Sequence, residues 1–220
     1  MLILGIDDAG RGPLICPMFL AGVLLKKKDE EYLKHEGVAD SKTLAHSTRV
    51  KLAGIIKDYV LKYKVVSSSP DHIDSSLSKG INLNTLEAIK TAEIINNLLV
   101  GVKEEVTVIV DCPSVNTNAW KATLNQYISK DHQIHLHCEH KADVNHPSVS
   151  AASILAKVAR EEAVSELKKQ YGELGSGYPS DPATVEFLKK NGLKYKDAGI
   201  FRKSWATWKA LFPSAKQSTL

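Results

Sequence analysis

The chain opens with the stretch Met1-Leu2-Ile3-Leu4-Gly5-Ile6-Asp7-Asp8-Ala9-Gly10-Arg11-Gly12-Pro13. The apolar run at residues 2–6 is rich in Ile and Leu, which is typical of a buried strand. Two acids follow it, and then a turn that contains two glycines and a proline. A second apolar run at residues 19–25 predicts a strand that pairs with the first as a hairpin. The sequence therefore begins with a strand pair that carries two carboxylates at its connecting turn.

Strand and helix patterns alternate through the rest of the chain. Residues 106–110 are all β-branched and predict a strand that ends at Asp111, and residues 134–138 predict another strand. Helices are predicted over residues 47–63, 84–100, 120–128, 147–171, 184–190 and 204–211. This order predicts an α/β fold with one central mixed sheet flanked by helices and a C-terminal helical appendage. We divide the chain into a main domain at residues 1–175 and a helical region at residues 176–220.

Composition excludes several classes of protein. The 220 residues are 43% hydrophobic and 25% charged, which are ordinary globular values. No run approaches the roughly 20 apolar residues of a membrane-spanning helix, and the N-terminus lacks the basic start of a signal peptide. The three cysteines are scattered and include no CxxC pair, so neither a disulfide framework nor a zinc knuckle is predicted. We expect a cytoplasmic, monomeric protein that does not contact membranes.

Positive charge is concentrated near the C-terminus. The formal net charge is only +4. The segment at residues 186–209 contains two acids, Glu186 and Asp197, and a larger set of bases: Lys189, Lys190, Lys194, Lys196, Arg202, Lys203 and Lys209. A basic segment on a nearly neutral body favours a polyanionic partner, although a solvated lysine-rich surface has the same composition.

Acidic residues end the predicted strands. Asp7 and Asp8 follow the first strand, Asp111 follows the strand at residues 106–110, and Asp143 lies after the strand at residues 134–138. Ligands gather at the carboxyl ends of strands in open α/β sheets, and carboxylates there are candidate ligands for Mg²⁺. Four carboxylates would suffice for two ions in phosphoryl transfer. Aspartate also favours turns, which would place these residues without any metal.

The geometry of a strand determines whether Asp7 and Asp8 can face the same site. Neighbouring strand residues point to opposite faces, so Asp7 and Asp8 share one site only if the strand has ended by Asp8. The glycine turn that follows makes this our expectation. Glycines at positions 10 and 12 permit close backbone approach, and Arg11 between them could present its guanidinium to a phosphate. A zinc site among His135, His137, His140 and His146 is a weaker alternative, because no cysteine pair accompanies them.

Taken together, the motifs resemble type 2 ribonucleases H, in particular ribonuclease HII of archaeal type. They occur in family order and span nearly the whole chain: residues 5–13 (GIDDAGRGP), residues 40–44 (DSKTL), Asp111, residues 140–143 (HKAD), residues 149–160 (VSAASILAKVAR), residues 175–182 (GSGYPSDP) and residues 202–205 (RKSW). Each short motif is weak, but the ordered set is highly specific.

The resemblance implies an endonuclease with a ribonuclease-H-like catalytic domain at residues 1–175 and a substrate-binding helical region at residues 176–220 packed on it. The implied substrates are RNA/DNA hybrids and duplex DNA with single embedded ribonucleotides, cut to leave 5′-phosphate and 3′-hydroxyl ends by a two-metal-ion mechanism with Mg²⁺ or Mn²⁺. The implied site residues are the metal-binding catalytic carboxylates Asp7, Asp8, Asp111 and Asp143, the substrate-binding residues Gly10, Arg11, Gly12, Lys42 and Tyr178, and Arg202 and Lys203 on the nucleic-acid backbone.

Two features depart from the family pattern. The family usually has glutamate where this chain has Asp8, and the shorter side chain could change the metal preference. Residues 216–220 (KQSTL) resemble the first half of a sliding-clamp-binding peptide, which continues with two aromatic residues in the family; a frayed polar tail is the alternative.

Two other functions remain open from the sequence. A phosphatase of the haloacid dehalogenase type also has acids after its first strand, but it needs an Asp-x-Asp motif. A hybrid-binding module that has lost catalysis, with Asp8 as the lesion, is the other.

Overall fold

The computed structural model describes residues 1–38 and 44–213. The strands are β1 (Leu2–Ala9), β2 (Met18–Lys26), β3 (Lys62–Ser68), β4 (Val106–Asp111) and β5 (Ile134–Glu139). The helices are α1 (Glu30–His35), α2 (His46–Tyr59), α3 (Pro70–Ser78), α4 (Leu83–Leu98), α5 (Thr117–Asn125), α6 (Ala142–Asn145), α7 (Pro147–Tyr171), α8 (Pro182–Asn191) and α9 (Ala206–Leu211).

The five strands form one mixed sheet in the order β3-β2-β1-β4-β5. β1 and β2 pair in antiparallel fashion, as predicted, whereas β1 and β4 run parallel with Ile6 opposite Val110. Because of this register, the acids that follow Ile6 and Val110 lie at the same edge of the sheet. The predicted mixed sheet with flanking helices is confirmed.

Helices cover both faces of the sheet. One core lies between the sheet and α4 and α5, and it takes Leu4 and Ile6 from β1. The other lies between the sheet and α7, α2 and α1, and it takes Ile3 from β1. Helix α7 crosses β1 very closely, since a Cβ atom on Gly5 would stand 2.2 Å from the carbonyl carbon of Ser148. Only glycine fits at this crossing, which fixes α7 against the strand that carries Asp7.

Helix α3 was not predicted, although its start has recognisable signals. Pro70 occupies the first turn, and the side chain of Ser69 accepts a hydrogen bond from the His72 amide. Serine as N-cap followed by proline is a common helix start. The segment contains few apolar residues, so its sequence shows no helical periodicity.

The C-terminal helices pack onto the body through a third core. Phe187, Ile200, Phe201 and Trp208 meet Leu14, which follows the first turn of the chain. The C-terminal region therefore contacts the loop after β1, although the boundary at residue 175 stays a prediction. Within the described residues, no helix is long and apolar enough to cross a membrane.

Candidate active site

The acids of β1 point to opposite faces of the sheet. β1 continues to Ala9, so the expectation that the strand ends before Asp8 is wrong. Asp7 lies on the α7 face, where Ser153 donates a hydrogen bond to it. Asp8 lies on the α4 face, close enough to Glu87 to interact electrostatically. The pairing with β2 holds both residues in extended backbone, which forces this alternation.

Asp111 ends β4 beside β1 and links the strand to α6. Its Oδ1 accepts a hydrogen bond of 3.0 Å from the Ala142 amide. Lys141 has φ +58°, a left-handed conformation that turns the chain into α6 just before Asp143. Asp143 is 1% exposed. It lines a cavity of about 150 Å³ together with Lys34, Pro147 and Ser150.

The carboxyl groups of β1 are hard to ionise. Burial raises the pKa of Asp7 well above its usual range, and the negative charge of Asp8 raises it further. Burial raises the pKa of Asp8 to about 7, and the neighbouring Glu87 adds to the rise. Asp111 raises both pKa values as well. Three acids therefore act on one another at this end of the sheet. Although β1 continues past Asp8, these three residues line one small pocket, and we call Asp7, Asp8 and Asp111 the acidic triad.

The acidic triad fits divalent cations by its chemistry. Its ligands are carboxylate oxygens, which Mg²⁺ prefers, and a cation would offset the charge that burial disfavours. Within residues 1–38 and 44–213, no three His, Cys, Asp or Glu side chains already stand in a geometry that could hold a metal ion. Asp143, the fourth predicted ligand, also lines a separate cavity.

A loop of three residues follows β1. In this glycine loop (residues 10–12), Gly10 has φ +85°, a conformation that glycine adopts without strain. The guanidinium of Arg11 pairs with the carboxylate of Glu87 and donates a hydrogen bond of 2.6 Å to the Asn84 side chain. Burial raises the pKa of Glu87 to about 7, against the lowering effect of Arg11.

Glu87 and Asn84 were not predicted as site residues. Glu87 is 1% exposed and lies beside Leu86 in the buried stripe of α4. A charged residue within an apolar helical stripe was the available signal, because a buried charge needs a partner. The partner is 76 residues away in sequence, which no periodicity reveals.

Arg202 does not face solvent. It is fully buried and donates hydrogen bonds to the carbonyl oxygens of Gly10, Arg11 and Cys16 at 2.6, 2.6 and 3.0 Å. The prediction that Arg202 contacts the nucleic-acid backbone is therefore corrected, because the buried guanidinium binds carbonyl groups of the protein's own main chain. Lys203 has a 39% exposed side chain and reaches Asp197 at 3.8 Å.

Tyr178 stands at the outer edge of the glycine loop. It is 36% exposed, and the guanidinium of Arg160 lies 4.9 Å from its ring centre. A Cβ atom on Gly12 would come within 3.4 Å of the same ring. Lys42, also predicted to bind substrate, lies outside the described residues.

These residues surround a cavity of about 430 Å³, which we call the site cavity. Its walls include Asp8, the glycine loop and Tyr178. Four bases and two acids line it: Arg11, Arg49, Lys157 and Arg160 with Asp8 and Glu161. An open cavity with an excess of bases attracts polyanions. Asp8 of the acidic triad lies in its wall, and Asp7, Asp8 and Asp111 together line a second, smaller pocket.

The histidines have separate partners in the protein. His135 pairs with Glu105 at 2.6 Å, His146 pairs with Glu139, and His140 lies 3.2 Å from the carbonyl oxygen of Cys112. Their arrangement gives the zinc alternative no support.

Comparisons with known proteins agree with this architecture. The profile of the family described as Ribonuclease HII matches residues 4–208. Ribonuclease HII of Methanocaldococcus jannaschii is 36% identical over 229 residues, which cover 100% of this chain and 99% of the relative. Ribonuclease H2 from Pyrococcus horikoshii OT3 superposes with a TM-score of 0.84 at 35% identity, covering 96% and 97% of the two chains. RNase HII in the PCNA:RNase HII complex from Archaeoglobus fulgidus superposes with a TM-score of 0.82 at 35% identity, with the same coverage.

The fold and these relatives define an endonuclease of the ribonuclease H class, a hydrolase that acts on RNA paired with DNA. More narrowly, the chain belongs to the ribonuclease HII family. The predicted archaeal resemblance and the ribonuclease-H-like fold are both confirmed.

Proposed function

We propose that the protein cleaves the RNA strand of RNA/DNA hybrids and cuts at single ribonucleotides in duplex DNA, leaving 5′-phosphate and 3′-hydroxyl ends. The observation that carries the proposal is the acidic triad, whose Asp8 also lines a cavity that carries four bases. The bases attract the phosphates of a duplex, and the triad supplies ligands for the cations that phosphodiester hydrolysis needs.

Asp7, Asp8, Asp111 and Asp143 would hold Mg²⁺ or Mn²⁺, with two ions present during catalysis. When bound, the ions would supply charge stabilisation to the scissile phosphate and its leaving oxygen. The carboxylates of the chain would hold and orient these ions, and the raised pKa values of Asp7 and Asp8 favour cation binding once the protons have left. Asp8 in place of the usual glutamate keeps the charge but shortens the reach by one methylene.

The glycine loop and Tyr178 would recognise the ribonucleotide. A protein distinguishes RNA from DNA by the 2′-hydroxyl, and a glycine backbone can approach that group closely. Tyr178 offers a partly exposed aromatic face beside the loop, suited to packing at the junction of ribonucleotide and deoxyribonucleotide. Lys203 would contact the backbone from the region at residues 176–220, and Lys42 would lie near the scissile phosphate.

A sliding clamp is a second partner that we propose. The structural relative from Archaeoglobus fulgidus was solved as a complex with PCNA. The peptide at residues 217–220, which resembles the start of a clamp-binding motif, lies outside the described residues. A pull-down with an archaeal sliding clamp tests this proposal: capture only when two aromatic residues follow Leu220 supports an incomplete motif, and no capture of either version supports a polar tail. A cytoplasmic location and a monomeric state remain predictions.

Cleavage of a labelled RNA/DNA hybrid by point variants tests the proposed site. Asp7→Asn and Asp111→Asn each remove one charge from the triad, and we expect each to lower the cleavage rate by about 100-fold or more, the scale on which one electrostatic group acts at a reacting centre. Asp131→Asn, at an exposed acid between α5 and β5, is the matched control.

The binding of each variant to the uncleaved hybrid separates the alternatives. Loss of cleavage with retained binding in Asp7→Asn and Asp111→Asn supports the proposed site. Triad variants that cleave as fast as the Asp131→Asn control would overturn it. A wild-type protein that binds the hybrid without cutting it in either metal would favour the binding module.

A further inference from the structure

The carbonyl groups of all three residues of the glycine loop accept hydrogen bonds from side chains of the C-terminal region. Arg202 donates to the carbonyl oxygens of Gly10 and Arg11 with its two terminal nitrogens, each at 2.6 Å. The indole N–H of Trp205 donates to the carbonyl oxygen of Gly12 at 3.0 Å. Two side chains from the C-terminal region therefore bind three consecutive carbonyl groups of the glycine loop, from which they are separated by 191 to 193 residues in sequence.

The planar geometry of the peptide bond determines in which direction the N–H groups of the glycine loop point. A trans peptide is planar, so the carbonyl of one residue and the N–H of the next point in opposite directions, and the described chain has no cis peptide. Since the carbonyls of Gly10 and Arg11 point toward buried Arg202, the N–H groups of Arg11 and Gly12 point away from it. The loop lines the site cavity, so the exposed side of these peptides is the side from which a substrate would approach.

The two side chains are themselves held in place. The guanidinium of Arg202 lies 4.9 Å from the ring centre of Trp205. Asp74 of α3 accepts hydrogen bonds from the amides of Lys203 and Ser204, at 2.6 and 3.1 Å, which fixes the backbone between them. Lysine could not replace Arg202, because one ammonium cannot present two parallel donors to neighbouring carbonyls.

Strain in the following turn is consistent with this role. Cys16 has φ +93°, a conformation that costs free energy in a residue with a side chain. Its carbonyl accepts the third hydrogen bond of Arg202, at 3.0 Å, and its amide donates to the Ile200 carbonyl. The same C-terminal segment thus stabilises both the glycine loop and the strained turn.

We propose that Arg202 and Trp205 are positioning residues that aim the backbone N–H groups of the glycine loop at the ribonucleotide, and so set the preference for RNA over DNA. The inference rests on the proposed function, because it concerns the same cavity and substrate. Neither side chain touches the substrate; both act through the loop that they hold.

The test compares two duplexes that differ by one 2′-hydroxyl: a DNA duplex with a single ribonucleotide and its all-DNA counterpart. Fluorescence anisotropy in EDTA measures the affinity for each, and the ratio of the two affinities measures the preference. Trp205→Phe keeps the aromatic ring and removes only the N–H donor, and Arg202→Lys keeps the charge. Trp208→Phe is the matched control, since Trp208 packs on Phe201 and Phe212 in the third core without bonding to the loop.

We expect Trp205→Phe and Arg202→Lys to lower the affinity ratio about fivefold or more, the effect of one lost hydrogen bond. Binding of the all-DNA duplex should stay within about twofold of wild type, because it depends on the phosphate contacts. Trp208→Phe should leave the ratio unchanged even where it lowers the melting temperature as much as Trp205→Phe does.

Two outcomes would overturn the inference. One is an unchanged affinity ratio in both Trp205→Phe and Arg202→Lys. The other is an equal fall of the affinity ratio in Trp208→Phe, which would indicate a general loss of stability. Failure of the proposed function looks different, since the wild-type protein would then show no preference for the ribonucleotide duplex.

Discussion

Raising the pH should destabilise the protein when divalent ions are removed. Burial and neighbouring charge raise the pKa of Asp8 from 3.8 to about 7 in the folded protein. The folded state therefore holds this proton more tightly than the unfolded chain does. Its stabilising contribution is present at low pH and is lost as the pH rises from the unfolded pKa to the folded pKa.

The size of the effect follows from the two pKa values. Each pKa unit corresponds to about 1.4 kcal/mol, and between pH 5 and pH 8 the shift of Asp8 gives a loss of roughly 3 kcal/mol in unfolding free energy. Asp8→Asn removes this ionisable group. The variant should equal or slightly exceed wild type in stability at pH 5 and exceed it clearly at pH 8.

Urea unfolding in EDTA at pH 5, 6, 7 and 8 measures these free energies. Glu104→Gln, at an exposed acid in the loop before β4, is the control and should follow the wild-type pH profile. Adding Mg²⁺ at pH 8 should restore stability to wild type more than to Asp8→Asn, because the ion binds the folded carboxylates. Parallel pH profiles for wild type and Asp8→Asn would refute the electrostatic account of the acidic triad.

Three further substitutions test the site at different levels. Gly5→Ala should lower the unfolding free energy by about 3 kcal/mol or abolish folding, measured by urea unfolding, because the added Cβ would overlap the backbone of Ser148. Arg11→Ala should slow hybrid cleavage and also destabilise the protein at pH 8 by about 3 kcal/mol, since it leaves buried Glu87 without its cation; equal stability at that pH would contradict the ion pair. Asp8→Glu should change the cleavage rates in Mg²⁺ and in Mn²⁺ by different factors, and an identical ratio of the two rates before and after the change would show that side-chain length there does not select the metal.

The sheet was predictable because its strands are strongly apolar. The β-branched run at residues 106–110 and the apolar run at residues 2–6 mark β4 and β1, and Asp111 is the last residue of β4 as predicted, whereas Asp7 and Asp8 lie within β1. The faces of Asp7 and Asp8 were not predictable. Whether a strand continues past its last apolar residue depends on its pairing with β2, and that pairing extends to Ala9.

Long-range contacts of polar residues account for the other errors. Arg202 reads as a surface base in a lysine-rich segment, yet it is fully buried against the carbonyl groups of the glycine loop. Glu87 reads as a surface residue of a helix, yet it holds Arg11. Such pairs are set by tertiary packing, and local sequence patterns contain no signal for them beyond a charge in an otherwise apolar stripe.

The proposed cleavage can be measured on a labelled DNA duplex with a single ribonucleotide, beside an all-DNA duplex of the same sequence, each with Mg²⁺, Mn²⁺ or EDTA. We expect one metal-dependent cut on the 5′ side of the ribonucleotide, with a 3′-hydroxyl on the upstream product and an intact control duplex, if the acidic triad and the glycine loop act as proposed. Cleavage that persists in EDTA, or equal cutting of the all-DNA duplex, would contradict the proposal.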